Sequence, residues 1–148
     1  MDAAWASFRA GDVPPRLVAP TSRALKRLAK AIEVRDRTKT RGAVVDVAYA
    51  SIDLQLRYRP VAEIDLARFE LWARRLLVHA TADDPAGVTS DVATMEWIRD
   101  RFVHTLDVVD VTRIDTLLGE LRTNVVDEDL AAASDTVKAL RELLSVLG

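Results

Sequence analysis

The chain contains no cysteine, and this absence excludes disulfide bonds, thiolate metal sites and thiol nucleophiles. Glycine and proline are scarce, with five of each in 148 residues, and aromatic residues make up only 5%. No stretch approaches the roughly 20 apolar residues that a transmembrane helix needs. Asp2 follows Met1 directly, so the cationic start and apolar run of a signal peptide are missing. We therefore expect either a cytoplasmic protein or an exported one whose signal segment is absent from this chain.

The residues that are present favour a globular helical domain. Hydrophobic residues make up 49% and charged residues 30%, which is typical of folded rather than disordered chains. Apolar residues recur at the three- and four-residue spacing of helices, and the connections between these segments are short. The sequence predicts an all-α fold: a single domain over residues 1–148, built as an antiparallel bundle of five to six helices around a single core.

The helices can be placed from this periodicity. Residues 1–20 are expected to hold a short helix and a proline-rich loop that leads into the bundle. The segment 43–58 is apolar on more than one side, and a helix of this kind usually lies at the centre. Predicted inward residues on the later helices include Phe69, Leu76, Met95 and Phe102. The predicted helices after the loop span 21–40, 43–58, 61–80, 90–106, a segment from 107 or 110, and a last segment from 127 or 128.

Charge is distributed unevenly, with a net charge of +7 over residues 16–41 and of −8 over residues 42–148. At about 100° per residue, six cations of the first main helix fall in one sector. This face predicts polyanion binding, to nucleic acid or to anionic lipid. Against it, Glu33 interrupts the sector and no aromatic side chain accompanies it, so nucleic acid is the less favoured partner and a solvated face is the alternative. The six cations are Arg23, Lys26, Arg27, Lys30, Arg37 and Arg41.

An acidic seam runs along the helix predicted to be central. Asp46 and Asp53 are seven residues apart and share one face, between two apolar faces, so we expect them to be partly buried and to need cationic partners. The hypothesis is that they pair with cations of the 61–80 helix, either as a polar network or as a pocket for a small ligand or cation. The full predicted set is Asp46, Asp53, Arg57, Asp65, Arg68, Arg75 and His79.

A third candidate surface surrounds Pro60, where charged and aromatic residues are dense. Tyrosine, tryptophan and arginine are enriched in binding hot spots. We therefore predict partner binding at Tyr58, Arg59 and Trp72, with a well-packed helix–turn–helix as the alternative interpretation.

Catalytic and metal-binding patterns are not found in the sequence. Nucleophile motifs of the Gly-x-Ser-x-Gly type and phosphate-binding loops are absent. Glu96, Asp100 and His104 recur every four residues, but the chain has only two histidines and this edge lies opposite the apolar stripe. No cofactor and no metal are predicted. We expect a non-enzymatic binding module whose partner is another protein or a second copy, with ligand binding at the acidic seam and polyanion binding as alternatives.

Overall fold

The computed structural model describes residues 2–11 and 13–147, and these residues form helices joined by turns, which confirms the all-α prediction. They contain seven α-helices, so the expected simple antiparallel bundle of five to six helices does not match exactly. Two short 3-10 turns follow α3 and α5, at Gln55–Arg57 and Val103–Thr105. The α-helices are α1 (Asp2–Arg9), α2 (Pro15–Glu33), α3 (Arg37–Leu54), α4 (Val61–Thr81), α5 (Pro85–Phe102), α6 (Val108–Val126) and α7 (Leu130–Leu144).

The chain divides into two compact units, residues 1–60 and 61–148. The first unit holds α1 to α3, with twelve Lys and Arg against six Asp and Glu, a net charge of +6. The second unit holds α4 to α7, with nine basic against seventeen acidic residues, a net charge of −8. A single domain with a single core stays a prediction.

The bounds of α2 correct two sequence expectations. The helix begins at Pro15, inside the segment expected to be a loop, because proline suits a first helical turn where its missing N–H has no partner. It ends at Glu33 rather than near residue 40, because Arg35 takes a left-handed conformation with φ 53°. Asp36 then caps α3 by accepting a hydrogen bond from the Lys39 backbone N–H at 2.9 Å, and this bond lowers the pKa of Asp36.

The hydrophobic core lies in the second unit and takes buried side chains from α4, α5, α6 and α7. Phe69 and Phe102 are fully buried there, which confirms their predicted inward positions, and they meet edge to face with ring centroids 5.3 Å apart. The helix predicted to be central, now α3, buries only Ala43 and Ala50. That expectation was wrong because most of the apolar side chains of α3 are only half-buried. The other fully buried core members include Ile64, Leu76, Met95, Ile114, Leu118, Leu121, Val137 and Leu140.

The first unit is a helical hairpin joined through small side chains. Ala24 and Ala31 on α2 are buried and seven residues apart, and so are Ala43 and Ala50 on α3. Residues seven apart lie on one helix face, so each helix presents an alanine seam. Among the described residues of this unit, the buried ones are these alanines and Thr21.

Candidate functional site

An exposed tryptophan lies on the surface of α5 in the second unit. Trp97 is 63% exposed in a helix whose other face forms the core. Arg101 lies one turn further along the same helix face, and its guanidinium carbon lies 4.9 Å from the centroid of the Trp97 ring. This is a cation–π contact, which restrains both side chains at the surface.

Arg101 is in turn anchored by a buried carboxylate. Asp65 on α4 is only 1% exposed and accepts hydrogen bonds on both oxygens, from Arg101 Nε at 2.9 Å and from Arg68 Nη1 at 2.7 Å. A buried charge is tolerated when it is fully paired, as here. Asp65 and Arg68 were predicted to belong to a ligand-binding set, and that role stays a prediction; Arg101 was not predicted. In the structure, Asp65 fixes the arginine that contacts Trp97.

Trp97 lines two recesses of the surface. The larger, of about 590 Å³, lies between α5 and α6. The smaller, of about 310 Å³, is lined by Ser90, Ala93, Thr94 and Trp97 itself. A partner side chain that enters either recess would therefore contact the indole. The larger recess is lined by Ala93, Glu96, Trp97, Arg99, Asp100, Asp115, Leu118 and Arg122.

Ion pairs link α5 to α6 beside Trp97. Arg99 binds Asp115 with two parallel hydrogen bonds, Nε to Oδ1 at 2.8 Å and Nη2 to Oδ2 at 2.6 Å, and these bonds raise the pKa of Arg99. Arg122 pairs with Glu96. Three acidic and three basic residues thus surround the tryptophan. We name the Trp97 patch as the set Glu96, Trp97, Arg99, Asp100, Arg101, Asp115 and Arg122.

These pairings also account for the residues weighed as a metal edge. Glu96 pairs with Arg122, and Asp100 accepts a hydrogen bond from Arg99 Nη1 at 2.9 Å. His104 lies in the 3-10 turn after α5. Within residues 2–11 and 13–147, no group of three or more His, Asp or Glu side chains is arranged to hold a metal ion.

A second buried carboxylate lies near the other end of the α4–α5 pair. Asp91 has no exposed surface, and its Oδ2 lies 2.7 Å from His79 Nδ1, while its Oδ1 lies 3.4 Å from Arg75 Nε. The imidazole and the carboxyl group are therefore in direct polar contact. Burial raises the pKa of Asp91 to about 6, against the opposing effects of His79 and Arg75.

The His79–Asp91 pair has the residue types of a general base and its orienting carboxylate. Its surroundings favour packing over catalysis. A Cβ added to Gly87 would lie 2.6 Å from His79 Cγ and Nδ1, so the start of α5 covers the imidazole directly. Arg75 is also engaged, since its guanidinium carbon lies 4.5 Å from the centroid of the Trp72 ring. Arg75 and His79 were predicted as site residues, but Asp91 was not. In the sequence, Asp91 shows only that it lies on the helix that follows the His79 helix.

Asp46 of the acidic seam has a cationic partner inside the first unit. Asp46 Oδ2 accepts a hydrogen bond from Arg27 Nη2 at 2.9 Å, and both side chains are substantially exposed. Asp53 lies on α3, and Arg57 lies in the 3-10 turn that follows it. The predicted pairing of the two aspartates with Arg68 and Arg75 joins residues of different units and stays a prediction.

The surface around Pro60 also stays a prediction. Tyr58 is 79% exposed, and Arg59 next to it is exposed as well. Trp72 is half-buried on α4 and lies beneath Arg75.

The predicted basic stripe is divided by the turn at residues 34–36. Four of its cations are exposed on α2, while Arg37 and Arg41 lie on α3, so a single helix face with six cations is wrong. The α2–α3 hairpin carries a groove of about 720 Å³. Small side chains line it together with basic and acidic side chains. The groove is lined by Arg27, Lys30, Ala31, Val34, Asp36, Lys39, Gly42, Ala43 and Asp46.

No protein-family model, curated protein or solved structure shows significant similarity to the chain. Among the described helices, none is long and apolar enough to cross a membrane. Inferences about function therefore depend on the geometry of the side chains described above.

Proposed function

We propose that the chain is a non-enzymatic interaction module that binds a second copy of itself through the Trp97 patch. The observation that carries this proposal is an exposed tryptophan held in place by a buried ion pair. Tryptophan and arginine are the residue types most enriched in binding hot spots, and here they contact each other.

The energetics favour binding at this position. Burying a large apolar side chain contributes about 1.5–3 kcal/mol, and most of the Trp97 surface is still in water. Association also costs about 0.5–1.5 kcal/mol for each flexible side chain that becomes ordered. Arg101 is already fixed on Asp65, so less of this cost remains to be met on binding.

Charge favours a second copy as the partner. The Trp97 patch is neutral, with three acidic and three basic residues, whereas the second unit as a whole carries −8. Two second units therefore repel each other over most of their surfaces but not at this patch. Ion pairs within one copy already balance the charges of the patch. A two-fold axis through it would therefore bring together two identical surfaces without net charge, which suits an isologous dimer.

Sedimentation equilibrium at protein concentrations from about 1 µM to about 1 mM, the range of weak interfaces, tests the proposal. We expect a monomer–dimer equilibrium. Trp97→Ala removes the anchor from both copies of the dimer. The loss of about 2 kcal/mol per hot spot therefore counts twice and should weaken the dimer by about 1,000-fold.

Tyr58→Ala is the matched control because it removes an aromatic side chain that is even more exposed than Trp97, from the surface around Pro60. It should leave the dimerisation constant unchanged. A chain that stays monomeric over the whole range would overturn self-association. Loss of association in Tyr58→Ala but not in Trp97→Ala would move the interface to the Pro60 surface.

A further inference from the structure

An aromatic pair from α1 lies against α2. Trp5 donates a hydrogen bond from Nε1 to Ser22 Oγ at 2.8 Å, which holds α1 on this helix. Phe8 stacks on Trp5 with ring centroids 6.0 Å apart and an interplanar angle of 27°. Phe8 is nonetheless 56% exposed. The aromatic group that sequence analysis found lacking near the basic residues is therefore present, supplied by a different helix.

The attachment point of this pair borders the basic face of α2. Measured around the helix from Ser22 at about 100° per residue, five exposed cations occupy the sector from about 40° to about 140°. The buried alanines that face α3 lie at about 180–200°. The basic sector is thus open to solvent, with the aromatic pair on one side of it and α3 on the other. Its members are Arg16, Arg23, Lys26, Arg27 and Lys30.

We propose that α1 and α2 form a docking face for an anionic lipid surface. Peripheral membrane helices combine lysine and arginine, which approach the lipid phosphates, with tryptophan or phenylalanine, which enter the boundary between headgroups and acyl chains. Phe8 is the exposed apolar group here, Trp5 supports it from behind, and the α2 cations lie beside both. Each of these side chains belongs to the first unit, which carries +6.

The aromatic geometry favours lipid over nucleic acid. Nucleic-acid platforms present open ring faces on which bases stack. Trp5 is half-buried with its indole N–H bonded to Ser22, and Phe8 stacks on it, so the pair is not an open platform of this kind. Insertion into the lipid boundary requires only exposed apolar bulk, which Phe8 retains.

Co-sedimentation of the full chain with vesicles tests this proposal. Vesicles of phosphatidylcholine alone are compared with vesicles that also contain phosphatidylserine. Binding is expected only with phosphatidylserine and should weaken as salt is raised. Each cation near the surface contributes about 1 kcal/mol, so Lys26→Glu should reduce the partition coefficient at least fivefold. Phe8→Ser should reduce it about tenfold, and Phe8→Leu should retain most of it.

Matched controls come from the second unit. Lys138→Glu reverses an exposed cation of α7, and Val109→Ser removes an exposed apolar side chain of α6. Both should bind vesicles as the unaltered chain does. Equal binding to vesicles with and without phosphatidylserine would overturn the proposal, and so would unchanged binding by Phe8→Ser. Binding of a single-stranded oligonucleotide that Lys26→Glu weakens, without binding to either vesicle, would show a nucleic-acid face instead.

Discussion

Replacing Asp91 with asparagine should change how the stability of the second unit responds to pH. Asp91 is buried between α4 and α5, within 2.7 Å of His79 and 3.4 Å of Arg75. Burial penalises its charged form, and nearby Asp84 adds to that penalty, whereas His79 and Arg75 reduce it. The net effect raises the pKa of Asp91 from the usual 3.8 to about 6.

The sign and size of the effect follow from this raised pKa. Between pH 3.8 and about pH 6 the folded chain keeps a proton that the unfolded chain has released. The stability gained from this proton is complete below the lower value and is lost as pH rises through the upper one. A shift of about two pKa units corresponds to a loss of at most about 3 kcal/mol.

The measurement is urea unfolding followed by circular dichroism, at several pH values from about 4 to about 8. The free energy of unfolding of the Asp91→Asn variant is subtracted from that of the unaltered chain. This difference should fall by up to about 3 kcal/mol over the range, because asparagine cannot ionise. Asp135→Asn alters an exposed aspartate of α7 and should give a nearly constant difference.

His79→Gln provides a second check. Losing the imidazole removes the strongest group that stabilises ionised Asp91, so the fall should move to higher pH. The explanation would be refuted if the free energy of unfolding depended on pH in the same way for the unaltered chain and for Asp91→Asn. A difference between the two that grows with pH would refute it as well.

Two further predictions concern glycine and the buried ion pair. Gly42→Ala should stabilise the chain by about 0.5–1 kcal/mol in thermal unfolding, since an added Cβ meets nothing within 4 Å and alanine favours helix. Gly87→Ala should destabilise the chain by about 1–3 kcal/mol, because the added Cβ would clash with the Asp84 carboxylate and displace the imidazole of His79. Equal effects of Gly42→Ala and Gly87→Ala on thermal unfolding would contradict this packing. Asp65→Asn should lower the free energy of unfolding by about 3–5 kcal/mol and also weaken self-association, since it releases Arg101. A folded variant with an unchanged dimerisation constant would show that Arg101 does not contribute to the interface.

The sequence was informative where apolar residues follow a strong helical period. Phe69, Leu76, Met95 and Phe102 were expected to point inward and are fully buried. The period was misleading in α3, where apolar residues on several sides suggested a central helix. Many small and half-buried residues give the same pattern as a helix that is buried on all sides.

The turn between α2 and α3 was missed because it contains neither glycine nor proline. Arg35 adopts a left-handed conformation that few non-glycine residues take, and the stop depends on Asp36 capping the next helix. Asp36 could have been recognised as a cap, because aspartate is a preferred residue at helix N-termini. The basic residues over 30–41 instead suggested one unbroken helix.

The candidate site was only partly predictable. The four-residue spacing of Trp97 and Arg101 is visible in the sequence, and it predicts that they share a helix face. Their link to Asp65 is not visible, because 36 residues separate Arg101 from Asp65 and no local pattern connects them. The same holds for Asp91 and its partners on α4. Buried ion pairs between helices depend on how the helices pack, which local spacing does not specify.

The most direct test of the central proposal is the fluorescence of Trp97 itself as a function of protein concentration. A variant with Trp5→Phe and Trp72→Phe keeps Trp97 as its single tryptophan. If a second copy covers this ring, dilution from about 1 mM to about 1 µM should shift its emission to longer wavelength and increase quenching by acrylamide. Emission and quenching that stay constant over this range, at the values of an exposed indole, would contradict the proposal that Trp97 anchors a dimer.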